Sequence, residues 1–381
     1  MTVTERVLGA PVDRLEGGEK VRGRARYAYE YPFENIAYGT LLLSTIAGGT
    51  IRTVDASAAL ATDGVLAVIT TENAPQLPNA QGELAVLQSP RVSYRGQVVG
   101  VVVAESLEAA RGAERLVRVD YDEAPHDIEL RVDHPTLYKP KVVNPTFPTD
   151  TEEGDVEAAL AAAAFTLDET YRTPAEHNNA MEPHATTAVW DGDGLTLYDS
   201  TQGAFPTQQT VAQTLDLSPE RVRVIAEHVG GGFGSKGMPR PHVIATAIAA
   251  KLVGRPVKLA VTRQQMFSLT GYRTPTIQRL RLGCDGEGRL TAIAHDVVEQ
   301  TSLVQEFAEQ TAVVTRMLYA SPNRRTTHRL ARLNVPTPSW MRAPGECPGM
   351  FALESAMDEL ARAVDIDPIE LRVRNEPELD P

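Results

Sequence analysis

The residues best placed to do chemistry are Gly230-Gly231-Gly232-Phe233-Gly234-Ser235-Lys236-Gly237, in which four glycines surround one aromatic ring. Glycine accepts positive φ and leaves the backbone bare, so this run lets a bulky ligand approach main-chain N–H groups. Three other stretches hold polar and small residues where apolar filling would be expected. They are Glu176–His184, Asp199–Gly203 with the neutral amide of Gln202, and Ser339–Met350 with the permanent cation of Arg342. Bare backbone, a neutral amide and a guanidinium suit an anionic or oxo-rich ligand better than a bare cation.

Spacing narrows the readings of the glycine run. A Walker A loop needs Gly-Lys-Ser/Thr, but Ser235 precedes Lys236 and Gly237 follows it. Gly232, Gly234 and Gly237 satisfy G-x-G-x-x-G, the dinucleotide fingerprint. A Rossmann unit also needs an acid at the end of the next strand, where Val257–Val261 runs into Thr262 and Arg263. A nicotinamide site and a glycine turn with no ligand stay open as alternatives. Each partner stretch has a plainer reading too: Gln202 in a surface turn, Arg342 paired with a carboxylate at a helix start, Lys236 solvated. His177 and His184, seven residues apart on an irregular segment, suit hydrogen-bonding or structural roles better than metal ligation.

These residues need elements to hold them. Arg221–Ala226 alternates as a half-buried strand, and Val243, Ile244, Ala247, Ile248 and Leu252 fall at helical spacing, which places the glycines in a strand-to-helix turn. Ala37–Leu43, Val65–Thr70, Gln97–Ala104 and Val117–Tyr121 read as strands. Ser106 caps a helix whose inner side carries Leu107, Ala110 and Leu116. Prolines 135, 140, 145 and 148 interrupt regular structure, so a linker is expected over 134–154, between domains 1–133 and 155–381. Beyond it, Asp155 caps an alanine-rich helix through Ala164, and Trp190–Leu195 and Cys284–Arg289 signal hairpins. Leu353, Met357, Leu360 and Val364 line an amphipathic helix that Asp367-Pro368 terminates.

Composition sets outer bounds. The 381 residues are 42% apolar and 23% charged, ordinary for a globular protein with room for two or three domains. A formal net charge of −13 argues against nucleic acid or an anionic membrane as the main partner. Cys284 and Cys347 are the only cysteines, too few for a disulfide framework or an iron–sulfur ligand set, so electrons from any redox reaction must leave through another chain. Met1–Arg6 lacks the apolar core of a signal peptide and no run approaches a membrane span, so a cytoplasmic location is expected.

In this order, MEPHATTAVW (181–190), STQGAF (200–205), HVGGGFGSKG (228–237), MRAPGECPGMFALESAMDELA (341–361) and DPIELRVRN (367–375) resemble the molybdenum-cofactor-binding subunit of the xanthine dehydrogenase/aldehyde oxidase family. KVRGRARY (20–27) and YRGQVVGVVVAESLEAA (94–110) resemble the hammerhead domain that precedes it. The implied fold class is α+β: an N-terminal α/β hammerhead domain followed by the first half of a molybdenum-cofactor-binding domain. Among subfamilies, RPHVIATAIAAKLVGRPVKLAVTRQQMF (240–267) and RNEPELDP (374–381) look most like bacterial aldehyde oxidoreductase large subunits.

The resemblance implies a molybdenum–molybdopterin cofactor, in its cytosine dinucleotide form, with no side chain as a direct metal ligand. Gln202 would hydrogen-bond an oxygen ligand of the metal. Gly231, Gly232, Phe233 and Gly234 would line the opposite side, and Met341, Arg342 and Ala343 would form a second cofactor-facing loop. Gln202 and Arg342 are the candidate catalytic residues. Partner subunits carrying 2Fe–2S clusters and FAD are implied, and co-export with a signal-bearing partner would make the location periplasmic. Purine-oxidising members carry a carboxylate where this chain has Gly237, so an aldehyde, or a related carbonyl or N-heterocyclic compound, is the expected substrate. The family's glutamate base has no counterpart before Pro381, and Glu346 is the only obvious carboxylate in the Arg342 loop. A truncated or split large subunit completed by another polypeptide is therefore expected, with a non-catalytic fragment or assembly half as the alternative.

Overall fold

In the computed structural model, which describes residues 9–378, two sheets carry the fold. The reading of Met1–Arg6 lies outside the described residues, as does the end of the chain at Pro381. The larger sheet has seven strands in the order Val222–Ile225, Gly194–Asp199, Ala185–Asp191, Val257–Ala260, Ala37–Leu43, Val98–Ala104 and Val65–Ile69. It draws on both sides of the proline-rich segment. Ala37 pairs in parallel with Val257, while Tyr38 to Leu43 pair antiparallel with Ala104 to Val98. The other sheet runs Phe165–Thr173, Thr276–Cys284, Leu290–Ser302, Arg324–Leu333 and Thr151–Glu153. No helix among the described residues is long and apolar enough to cross a membrane.

Each sheet is covered by a helix whose sequence explains its burial. Pro241–Val253 is apolar nearly all round and its first ten residues are buried, so it is a core helix; Leu252, expected on the inner face, is exposed. Gly254, at φ +62°, ends it in the left-handed conformation that glycine adopts at least cost. Glu346–Ala363 is amphipathic, and Leu353, Met357 and Leu360 pack on Leu280, Leu282 and Ile293 of the second sheet. It ends at Ala363 rather than at Asp367-Pro368. Those two residues open a further helix, Pro368–Arg374, where the Asp367 carboxylate accepts from the N–H groups of Ile369 at 2.9 Å and Glu370 at 3.2 Å.

Local signals elsewhere read well. Asp155 Oδ1 accepts from Ala158 N at 3.0 Å and starts Val156–Ala162, which stops short of Ala164 because Phe165 begins a strand. Ser106 Oγ accepts from Ala109 N at 3.1 Å and starts Leu107–Glu114; Leu116 lies past that helix and is exposed. Both hairpins form, with Asp191 opposite Gly194 and Asp285 N donating to Arg289 O at 2.9 Å. The glycine run is not itself a helix start. The strand stops at Ile225 and the helix begins at Pro241, so residues 226–240 form a separate loop.

The second sheet also buries polar groups. His295 Nε2 faces Gln278 Oε1 at 3.0 Å, and its Nδ1 faces Thr315 Oγ1 at 2.7 Å. Burial, with His328 nearby, holds this imidazole down at about 3. It stays neutral in the fold but takes a proton in the unfolded chain below about pH 6.5. Its stabilising contribution is therefore complete above pH 6.5 and is lost as pH falls toward 3. Between pH 7 and 5 the loss is about 2 kcal/mol. Urea unfolding of His295→Gln should show a pH 7-to-5 stability difference smaller by about that amount; an unchanged difference would refute the neutral buried state.

Candidate functional site

The glycine loop is anchored from below by a buried ion pair. Lys236, 1% exposed, is not a solvated lysine: its Nζ donates to Glu182 Oε2 at 2.7 Å and to the Glu182 carbonyl at 3.0 Å. Glu182 also takes the Gly230 N–H on Oε2 at 2.7 Å and donates its own N–H to Gly230 O at 3.0 Å. One Glu-Lys pair thus grips both ends of the run. Burial lowers the Lys236 ammonium from its usual range, and it pushes the Asp199 carboxyl up to about 7 despite a hydrogen bond from the Thr186 hydroxyl. His184 and His242 meet edge to face at 5.8 Å, and burial lowers both imidazoles well below their usual range. His177 instead packs against Phe267 and Tyr272. Among the described residues no group of three His, Cys, Asp or Glu could hold a metal ion.

Above this base the candidate residues come together. Gln202 N donates to Lys236 O at 2.8 Å, and its Oε1 accepts from Gly234 N at 2.9 Å. The Phe233 carbonyl accepts from Arg342 N at 2.9 Å and from Asn178 Nδ2 at 2.7 Å. These bonds join Gln202, Gly231–Gly234 and Met341–Ala343 into one surface, so Gln202 is part of that surface and not of an isolated turn. The glycines are demanded by protein neighbours as well as by open space. A Cβ on Gly230 would collide with Glu182, on Gly232 with the Gln202 amide, and on Gly234 with the Trp340 carbonyl. Phe233 and Ala343 adopt φ +54° and +57°, positive values unusual for residues with a side chain.

Two buried arginines that the sequence reading passed over complete the frame. Arg240 donates to Ser235 O at 3.1 Å, to Glu83 Oε1 at 2.8 Å and to the Ser339 hydroxyl, tying the glycine loop to the second loop and to the N-terminal segment. Arg273, whose side chain is 3% exposed, donates to Arg342 O at 2.7 Å, Ala343 O at 3.1 Å and Glu176 Oε2 at 3.1 Å. The sequence cue for it was Thr270-Gly271-Tyr272-Arg273, where Gly271 has φ +75° and packs against Ser339 and Arg240. Arg342 itself is exposed and pairs with no carboxylate among the described residues, which sets aside its plainer reading. A cavity of about 520 Å³ opens beside Trp340, Phe307, Met238 and Leu84.

The donors suit an oxygen-rich anion. Among the described residues, Gln202 Nε2 and the N–H groups of Phe233 and Ala343 meet no acceptor, and the Arg342 guanidinium is free. The same site does not suit a nicotinamide dinucleotide. In a Rossmann unit the two parallel strands flanking the glycine turn and helix are neighbours. Here Val222–Ile225 and Val257–Ala260 are separated by two strands.

Comparison with known proteins defines the class. Residues 137–376 match the molybdopterin cofactor-binding domain, and residues 22–125 match the a/b hammerhead domain of aldehyde oxidase and xanthine dehydrogenase. The chain therefore belongs to the aldehyde oxidase and xanthine dehydrogenase family of molybdopterin-binding proteins. It is 41% identical over 380 residues to the aldehyde oxidoreductase molybdenum-binding subunit PaoC of Escherichia coli, covering 99% of this chain and 51% of that protein. A xanthine dehydrogenase molybdenum-binding subunit of the same species is 29% identical over 385 residues, covering 95% and 51%. The aldehyde oxidoreductase of Desulfovibrio gigas superimposes with a TM-score of 0.84 at 25% identity, over 97% of this chain and 43% of that one. The chain spans about half the length of the curated relatives it matches.

Gly234 gives the sharpest test of the loop contact. Gly234→Ala places a side chain at φ +104° against the Trp340 carbonyl, so the two loops must part. A cost of about 3 kcal/mol is expected, against about 1 kcal/mol for Gly192→Ala in an open turn. Urea unfolding measures both, and limited trypsin digestion should cut after Arg342 faster in Gly234→Ala only.

Proposed function

We propose that this chain forms part of a molybdenum hydroxylase that oxidises aldehydes. The observation that carries this reading is the convergence of Gln202, Gly231–Gly234 and Met341–Ala343, with donors among them that meet no acceptor among the described residues. When bound, the molybdenum–molybdopterin cofactor, proposed in its cytosine dinucleotide form, supplies a two-electron oxidation that delivers a water-derived oxygen to the substrate carbon. Gln202 Nε2 would donate to an oxygen of that group, and its Oε1 is already held by Gly234, which fixes the amide's orientation. Phe233 and Ala343 present main-chain N–H groups, and Arg342 adds positive charge without a competing carboxylate.

Gly237 offers no carboxylate to pair with a purine. Glu346 is exposed at the start of its helix and Glu309 is buried and bonded to Gly345, so neither is assigned as the base. Iron–sulfur and FAD partner subunits take the electrons in this reading, in keeping with relatives described as molybdenum-binding subunits. The division into a hammerhead part (1–133), a linker (134–154) and a cofactor-binding part (155–381) belongs to the same proposal.

Co-expression with the neighbouring genes should yield a complex with about one molybdenum per copy of this chain and releasable cytosine nucleotide. A folded complex lacking both metal and pterin would overturn the assignment. In that complex Gln202→Ala should keep most of its molybdenum while turnover of an aldehyde falls about tenfold or more, the effect of losing one charge-assisted hydrogen bond. Full turnover would remove Gln202 from the site.

A further inference from the structure

We propose that Arg273 is the positioning residue of the second loop, holding the carbonyls of Arg342 and Ala343 inward so that the Ala343 N–H faces the ligand. The inference rests on the cofactor reading above for the identity of that ligand, though not for the geometry of the loop. Arg273 reaches the two successive carbonyls at 2.7 and 3.1 Å. A trans peptide is planar, with its C=O and N–H antiparallel. Turning the Arg342 carbonyl toward Arg273 therefore turns the Ala343 N–H the other way, where it meets no acceptor among the described residues. Pro344 has no N–H, so the next peptide adds no competing donor.

The guanidinium is itself fixed from two sides. Glu176 accepts from Nε at 3.1 Å, and the buried Glu309 lies 3.7 Å from Nη1. Glu309 Oε1 also accepts from Gly345 N at 2.9 Å, at the far end of the same turn. Gly345 can take this position because it has no side chain: a Cβ there would stand 2.7 Å from the Gln310 carbonyl oxygen. Glu309 is held in turn by Glu299, whose carboxylate accepts the Glu309 N–H at 3.2 Å and the Thr311 hydroxyl. Arg273 thus serves the carbonyls of Arg342 and Ala343, the second shared with the Cys347 N–H at 3.1 Å, and Glu309 takes the N–H of Gly345. Lysine in place of Arg273 keeps the charge but not the planar fork that spans two carbonyls.

The test compares wild type, Arg273→Lys and Glu309→Gln in the co-expressed complex, by hydrogen exchange of peptides covering 340–346 and by molybdenum content. Arg273→Lys should speed exchange in 340–346 at least about tenfold, as expected for losing a hydrogen bond to a charged group. Exchange in the hairpin 185–199 should not change, and molybdenum per chain should fall. Glu309→Gln keeps an acceptor for Gly345 and should loosen the loop less, which tests the pair even if Arg273→Lys does not fold. Wild-type exchange across 340–346 in a folded Arg273→Lys complex would overturn the proposal, as would equal loosening of the remote hairpin. If wild type holds no molybdenum but Arg273→Lys still loosens 340–346 alone, the cofactor reading fails and the positioning role stands.

Discussion

Backbone in irregular loops must find partners for its N–H and C=O groups when it is buried, and this chain meets that demand with buried cations. Lys236 donates to the Glu182 carbonyl, Arg240 to that of Ser235, and Arg273 to those of Arg342 and Ala343. A carboxylate neutralises each: Glu182, Glu83, and Glu176 with Glu309. Charges removed from water at such positions are costly on their own, and the carbonyls they satisfy help offset that cost. Three loops without regular secondary structure are thereby set within hydrogen-bond distance of one another, which is the condition for a site built largely from main chain.

The glycine run takes on a different meaning in that setting. In the sequence, bare backbone beside an aromatic points to a ligand. In the fold, Gly230, Gly232 and Gly234 are needed because Glu182, Gln202 and Trp340 press against them. Both demands act together: close loop packing brings the amide of Gln202 and the turn of Arg342 beside Phe233, and leaves donors there with no acceptor among the described residues. Lys236 shows the same shift. Beside Ser235 and Gly237 it reads as a surface lysine, yet its ammonium is buried against Glu182, a partner 54 residues away in sequence.

Helix caps and hairpin turns were legible because their cause is local. Ser106, Asp155 and the turns after Trp190 and Cys284 act on backbone a few residues away, and each does what its residue type suggests. Asp367-Pro368 was legible as punctuation but not in direction, since the same pair ends one helix pattern or caps the next. The order of the larger sheet was not legible at all. Ala37–Leu43, Val98–Ala104 and Val257–Ala260 are short apolar runs of similar character, and nothing within them states that the first lies between the other two.

By itself the sequence determined the family, through the order and spacing of motifs carrying Gln202, Gly231–Gly234 and Met341–Ala343, and it determined most caps and turns. Those are properties of neighbouring residues, so a linear reading reaches them. Tertiary structure alone decided that a single sheet joins segments on both sides of the proline-rich stretch, and that Arg240, Arg273 and Glu309 hold the site loops in place. Glu83, Arg342 and Gly345, which they hold, lie from 36 to 157 residues away in the chain. Contacts at that range are set by how the sheets and helices pack, which no local pattern records.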